Sequence, residues 1–256
     1  AACPLEAQIA NRAITHLSVV SVQLERLLLA RAPLQRLHAV LAGGGPMSAS
    51  VVQRAIESGV PLHLTYGMTE TASQITTTEK LTACPSRIHA GKPLPGRELR
   101  ISPSGEVQVR GGILATGVLT SSGQLESITD AEGWASTRDV GTLNKNNELI
   151  LLGRRDRMII SGGENIHPER IEAILSDVPG VVRVAVVGIT HPVFGMRPVA
   201  FVTGNVNVES LRDFLGERVE RFSIPDFFFP WPDSIPIDDA KIDYRQLTRL
   251  AETMAH

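Results

Sequence analysis

The sequence predicts an α/β region with a small β subdomain over residues 1–155, followed by a compact α+β domain over 156–256. Three textures point to this. Apolar strand-like runs alternate with helical patterns over residues 17–67, the signature of a parallel sheet with helices. From Pro85 to Arg154 short strands alternate with Gly and Pro turns, as in a small β subdomain. After Gly163, two apolar strands lie among amphipathic helices over a length normal for one domain.

The elements follow in order. Residues 5–31 read as helix, strand and helix, with LSVVSVQL as a strand leading into LERLLLARAP, which Pro33 closes. LHAVLAGGG is a buried strand entering three glycines. PMSASVVQRAIESG has a proline ahead of it, Ser48 as cap and Gly59 as stop, the asymmetry expected of a helix. VPLHLTYG is a further strand, followed by the polar turn MTETAS. RELRIS, GEVQVRGG and ELILLG are the strands of an antiparallel or barrel-like subdomain. In GRRDRMIISGGEN, residues 153–165, a short buried-looking apolar run separates a charged cluster from a glycine pair. HPERIEAILSDVPG is a helix with Pro168 in its first turn and Ile171, Ile174, Leu175 and Val178 on one face. VVRVAVVGI and RPVAFVTG are strands, VESLRDFLGERVERF an amphipathic helix, and DYRQLTRLAETMA the last helix.

Composition bounds the function. Of 256 residues 43 % are apolar and the net charge is −2, with no block of like charge, so nothing favours nucleic acid or an anionic membrane as partner. The two cysteines, Cys3 and Cys84, stand far apart with no His or Cys at ligand spacing, which argues against a disulfide framework or a zinc site. No apolar run approaches the roughly 20 residues of a membrane span. The opening AACPLEAQIANRAITH has no basic leader ahead of an apolar stretch, and a cytoplasmic location is expected. It lacks an initiator Met, which fits either processing or a piece of a longer chain.

Several clusters could carry chemistry. Gly43, Gly44, Gly45 and Pro46 would let a flat ring or a phosphate approach the backbone, or simply form a tight turn. TYGMTETAS offers hydroxyls at Thr65, Thr69, Thr71 and Ser73, the Tyr66 ring and the Glu70 carboxylate, a hard ligand suited to Mg²⁺; equally it is a capped polar loop. Asp139, two residues before Gly141, could accept ribose hydroxyls or belong to an Asp-x-Gly turn. Arg154, Arg155 and Arg157 around Asp156 read as a surface ion pair. Lys241 lies among Asp238, Asp239 and Asp243, as a solvated lysine would. His16, His63, His89 and His167 are scattered and read as ordinary, and no Ser–His–Asp or Cys–His elbow occurs.

The order of these clusters is more telling than any one of them. Glycine-rich turn, Tyr-Gly-x-Thr-Glu, Gly-Trp-x-x-Thr-x-Asp, Gly-Arg-x-Asp-x-x-Ile-x-x-Gly-Gly-Glu-Asn-Ile and a late Lys-Ile follow one another over residues 14–250. This series resembles the adenylate-forming enzymes: acyl- and aryl-CoA synthetases, luciferase and peptide-synthetase adenylation domains. YGMTETASQ, GKPLPGRELRI and SGGENIHPERIEAIL are most similar to the o-succinylbenzoate–CoA ligases of menaquinone biosynthesis, with other aryl- and acyl-CoA synthetases as alternatives.

The resemblance implies a ligase that uses ATP, Mg²⁺ and coenzyme A on a small carboxylic acid, and a homodimer is an open expectation. It implies that Gly43 to Pro46 line the adenine pocket together with Tyr66, Gly67 and Met68. Thr69 would meet the α-phosphate, Glu70 would hold Mg²⁺, Asp139 would anchor the ribose and Arg154 would be its basic partner. Asp156 would be the hinge of a mobile C-terminal domain, Lys241 the catalytic lysine that it carries, and Gly162 and Gly163 the lining of the pantetheine tunnel. There are departures. The family's phosphate loop, rich in Ser, Thr and Gly and ending in Lys, is absent from the sequence. The chain is therefore expected to be the C-terminal part of a ligase, inactive by itself or a non-catalytic module that binds a nucleotide or a partner. A sheet edge and apolar surface near its N-terminus are expected to be open. Arg138 stands where the family has Gly before the aspartate, and Ala240 where it has Gly before the lysine.

Overall fold

A computed structural model describes residues 5–11, 13–237 and 242–255. The chain forms two compact units, Ala1–Leu151 and Leu152–His256.

The first unit opens with α1 (Leu5–Asn11), β1 (His16–Val19) and α2 (Ser21–Leu29). The strand expected over LSVVSVQL stops at Val19, and its second half is already helix: Gln23 lets its side chain accept the Val20 N–H at 3.1 Å and so closes the first turn. β2 (Ala39–Ala42), α3 (Ala49–Glu57) and β3 (Leu62–Gly67) follow. The Ser48 hydroxyl accepts the Val51 N–H at 3.3 Å and caps α3. β1, β2 and β3 run parallel. β4 (Gln74–Thr77) and β5 (Lys92–Pro93) add antiparallel, giving the order β1-β2-β3-β4-β5 with β1 at one end. Leu24, Leu27, Val52 and Ala55 of the helices pack on Val40, Leu62 and Leu64 of the strands.

The second texture is an open antiparallel sheet rather than a barrel. β6 (Arg97–Ile101), β7 (Glu106–Gly111), β10 (Ala135–Leu143) and β11 (Leu149–Arg154) take the order β11-β10-β7-β6, with the small hairpin of β8 (Val118–Leu119) and β9 (Leu125–Glu126) apart from them. Ser136 faces Gln108 and Val140 faces Glu106, so residues 137–139 stand opposite Val107 alone. The Asp139 segment, for which an Asp-x-Gly turn is one reading, is thus a bulge inside a nine-residue strand.

The second unit is a sheet covered on both faces. β12 (Ile159–Ser161) and β13 (Glu164–Ile166) form a hairpin, and α4 (Pro168–Ser176) follows. β14 (Val181–His191) pairs β15 (Gly195–Gly204) along its length, and β16 (Phe227–Pro230) adds parallel to β15. Val184 and Val186 of β14 face α4 and α5 (Val208–Gly216), whereas Ala185, Val187 and Ile189 face α6 (Tyr244–Met254). Burial on both sides explains the unbroken apolar run of β14. The helix expected to Phe222 ends at Gly216, and β16 has no counterpart in the sequence reading. Nor is the run before the glycine pair wholly buried: Ile159 is 2 % exposed and Ile160 52 %, because they alternate across the hairpin.

Among the described residues no helix is long and apolar enough to cross a membrane.

Candidate functional site

The predicted residues of the first unit gather at the C-terminal ends of β2 and β3, where ligands bind in open parallel sheets. Gly43 to Pro46 leave β2 directly. A Cβ on Gly43 would press on the Thr65 side chain and reach its carbonyl oxygen at 2.8 Å, so only glycine lets this turn lie on β3. Gly44 has φ +76°, and a Cβ on Gly45 would meet nothing within 4 Å. The turn therefore offers bare backbone to solvent.

β3 ends at Gly67, where a Cβ would strike the Ser73 carbonyl and come within 2.8 Å of the Gln74 Cα. Met68 to Ser73 fold into a tight loop around buried Thr71, whose hydroxyl accepts the Met68 N–H at 3.1 Å. Ala115 donates its N–H to the Glu70 carbonyl at 2.7 Å and ties the loop to the segment that follows Gly111. Thr69 is exposed and Glu70 half-buried. Among the described residues no three His, Cys, Asp or Glu side chains gather as a metal site. A lone carboxylate at Glu70 nevertheless fits Mg²⁺, which takes one or two protein carboxylates and completes its octahedron with waters and phosphate oxygens.

Tyr66 and Asp139, 73 residues apart, meet: the Tyr66 hydroxyl donates to Asp139 Oδ2 at 2.5 Å. The Tyr66 ring is 7 % exposed and packs with Ile75, Val107 and Leu149. Asp139 is half-buried, and its N–H donates to Thr137 Oγ1 at 3.1 Å. A carboxylate already accepting a phenol keeps lone pairs for further hydroxyl donors.

Arg154, Asp156, Gly162 and Gly163 belong to the second unit. Arg154 Nε donates to Asp156 Oδ1 at 3.2 Å, an exposed pair on a single 3-10 turn, as the charge pattern led one to expect. Gly162 and Gly163, with φ +59° and +90°, are the two-residue turn of the β12–β13 hairpin. That turn needs left-handed backbone at both positions. Lys241 lies outside the described residues.

Sequence reasoning missed an ionic cluster beside the hinge candidate. Arg157 reaches Glu172 at 2.6 Å and Glu169 at 3.0 Å, donates to the Val186 carbonyl at 3.2 Å, and stacks 3.5 Å from the Tyr244 ring centroid. Burial disfavours the guanidinium charge, but Glu172 and Glu169 outweigh it and hold Arg157 above its usual range. Burial likewise pushes Glu172 up, against Arg157 and the Val186 N–H. The acids sit in α4 at i and i+3, a spacing that reads as a polar helix face; both are buried. Glu106, the buried acid beneath the β10 bulge, was missed as well.

The comparisons agree with this geometry. Residues 4–125 match the AMP-binding enzyme family, and residues 170–238 match the AMP-binding enzyme C-terminal domain. The chain is 35 % identical over 244 residues to the 2-succinylbenzoate–CoA ligase of Escherichia coli strain K12, covering 95 % of this chain and 52 % of that protein. To its counterpart in Bacillus cereus strain Q1 it is 37 % identical over 229 residues, 84 % of this chain and 47 % of that one. A variant of Escherichia coli MenE with bound OSB-AMS superposes with TM-score 0.82 at 33 % identity, over 99 % of this chain and 54 % of that chain. The o-succinylbenzoate coenzyme A synthetase of Bacillus subtilis, in complex with ATP and magnesium ion, gives TM-score 0.82 at 31 % identity, over 94 % and 53 %. The chain thus spans about half the length of the curated relatives it matches. With both family models matched in order, and the glycine turn, Tyr66 loop and Asp139 meeting at one sheet end, the chain belongs to the adenylate-forming AMP-binding enzymes.

Proposed function

We propose that this chain supplies the nucleotide-facing part, residues 1–155, and the small mobile domain, residues 156–256, of an ATP- and CoA-dependent carboxylic acid ligase acting on o-succinylbenzoate. The acid's carboxylate attacks the α-phosphorus of ATP and expels pyrophosphate; the CoA thiol then displaces AMP to give the thioester. A cytoplasmic location and a homodimer belong to the same reading.

The observation that carries it is the Tyr66–Asp139 bond, which joins two motifs of the series next to Thr65, the residue on which the glycine turn packs through Gly43. Adenine would lie against the Gly43–Pro46 backbone beside Tyr66, Gly67 and Met68, and the ribose hydroxyls would donate to Asp139 near Arg154. Thr69 would donate to the α-phosphate. Glu70 would hold Mg²⁺, which neutralises phosphate charge as it develops. The exposed Asp156 would be the pivot that lets one site serve two half-reactions, the small domain presenting first Lys241 and then the Gly162–Gly163 turn.

The test is pyrophosphate release with ATP, Mg²⁺ and o-succinylbenzoate, for this chain alone and for this chain joined to the remaining half of the Escherichia coli relative. Activity of the joined protein alone supports a ligase segment. If the joined protein forms no adenylate from any aryl or acyl acid, the reading is wrong. In the joined protein Lys241→Ala should depress adenylate formation and spare thioester formation from pre-made acyl-AMP; equal loss in both removes Lys241 from its role.

A further inference from the structure

Glu106 is a buried acid at the first residue of β7, 7 % exposed, which the nucleotide site as proposed does not use. Its Oε1 accepts two donors, the Arg138 N–H at 3.0 Å and the Ser136 hydroxyl. Arg138 lies on the β10 bulge and Ser136 is the last paired residue before it. There three residues, 137–139, face Val107 alone, so the ladder cannot supply every main-chain donor with a partner. Arg138 sits at φ +61°, a left-handed conformation that non-glycine residues avoid. On the other side of Arg138, the Thr137 hydroxyl donates to the Val107 carbonyl at 2.8 Å and accepts the Asp139 N–H at 3.1 Å. The bulge is thus clamped from both sides, and the residue it delivers is Asp139, set against the Tyr66 hydroxyl.

We infer that Glu106 is a positioning residue for Asp139. Its carboxylate replaces the missing strand partner, holds Arg138 left-handed, and fixes the direction in which Asp139 leaves the sheet. The role matters more here than it would with glycine at 138, since glycine adopts this backbone without help. The inference rests on the proposal that Asp139 receives the ribose hydroxyls.

The test compares AMP with 2′,3′-dideoxy-AMP on this chain by calorimetry. Glu106→Ala should weaken AMP about tenfold, as loss of a hydrogen-bonded anchor does, and leave the dideoxy nucleotide within about twofold. Glu106→Gln, whose amide oxygen accepts the same two donors, should restore AMP binding. In Glu106→Ala with Arg138→Gly, the glycine should recover most of the loss. Equal weakening of both nucleotides, or AMP binding unchanged in Glu106→Ala while Asp139→Ala is impaired, would overturn the inference. Should Asp139→Ala bind AMP as the wild type does, or the wild type bind none, the nucleotide reading falls. Amide hydrogen exchange then decides the positioning role. In Glu106→Ala the Arg138 and Asp139 amides should exchange about tenfold faster, with β6 and β7 unchanged; unaltered exchange at 138 and 139 refutes it.

Discussion

Replacing Arg157 by methionine keeps an unbranched apolar stem and removes the cation from between two buried acids. Glu169 and Glu172 are 8 % and 7 % exposed, and without Arg157 they keep the Arg154 N–H at 3.2 Å and the Val186 N–H at 2.8 Å, respectively. Breaking a buried pair from one side costs about 3–5 kcal/mol. The cheapest escape is to protonate Glu172, which from an ordinary value near 4.3 costs about 4 kcal/mol at pH 7 and about 2 kcal/mol at pH 5.5. Glu172 is already raised by burial, so the folded variant binds a proton that the unfolded chain releases. Its stability therefore recovers as the pH falls from 7 toward the unfolded value. The second unit has its own reporter in Trp231, whose indole N–H donates to the Ile235 carbonyl at 2.8 Å. Trp134, the other of two tryptophans, is removed as Trp134→Phe in both proteins. Urea unfolding followed at Trp231 should show the Arg157→Met midpoint lowered by about 2 M at pH 7 and by about half that at pH 5.5. A penalty under about 1 kcal/mol, or one that does not change with pH, would refute the reasoning.

Two further outcomes follow from local geometry. Gly67→Ala should destabilise the first unit by about 1–3 kcal/mol, because the new methyl meets the fixed Ser73 and Gln74 backbone rather than a movable side chain; an unchanged melting temperature would contradict that packing. His167 is held below its ordinary value by burial and Arg170, with Glu169 opposing. Between that lowered value and about 6.5 the unfolded chain takes up a proton that the folded one refuses, so stability falls as pH drops through this window, by at most about 1.4 kcal/mol per unit. His167→Asn should remove that slope, and an identical stability difference between variant and wild type at pH 7.5 and 5.5 would contradict it.

Much of the architecture was legible because its signals are local. Ser48 and Gly59 bracket α3, Pro168 opens α4, and the glycines after β2 and β12 stand where backbone must turn. The site was legible only as an ordered series, since Tyr66 and Asp139 meet through folding. Other features obey non-local rules. The bulge at 137–139 breaks the alternation that announces a strand, so β10 has no counterpart among the strands read from the sequence. α5 stops at Gly216 although apolar residues continue in register to Phe222. β16 hides behind Pro225 and Pro230, tolerated because it forms only four paired positions beside β15. Arg157 read as one more surface charge, since nothing in its neighbours shows that α4 turns two acids inward to meet it.

The end position of β1 has a practical consequence. Among the described residues no further strand zips onto its outer side, which leaves a row of main-chain groups free to template a newcomer. Purified material should stick to itself steeply with concentration and with little response to salt, because amide-to-carbonyl rungs rather than charges would carry the association. How this polypeptide is stored and at what dilution it is assayed will then govern whether solitary molecules or stacked ones are being measured.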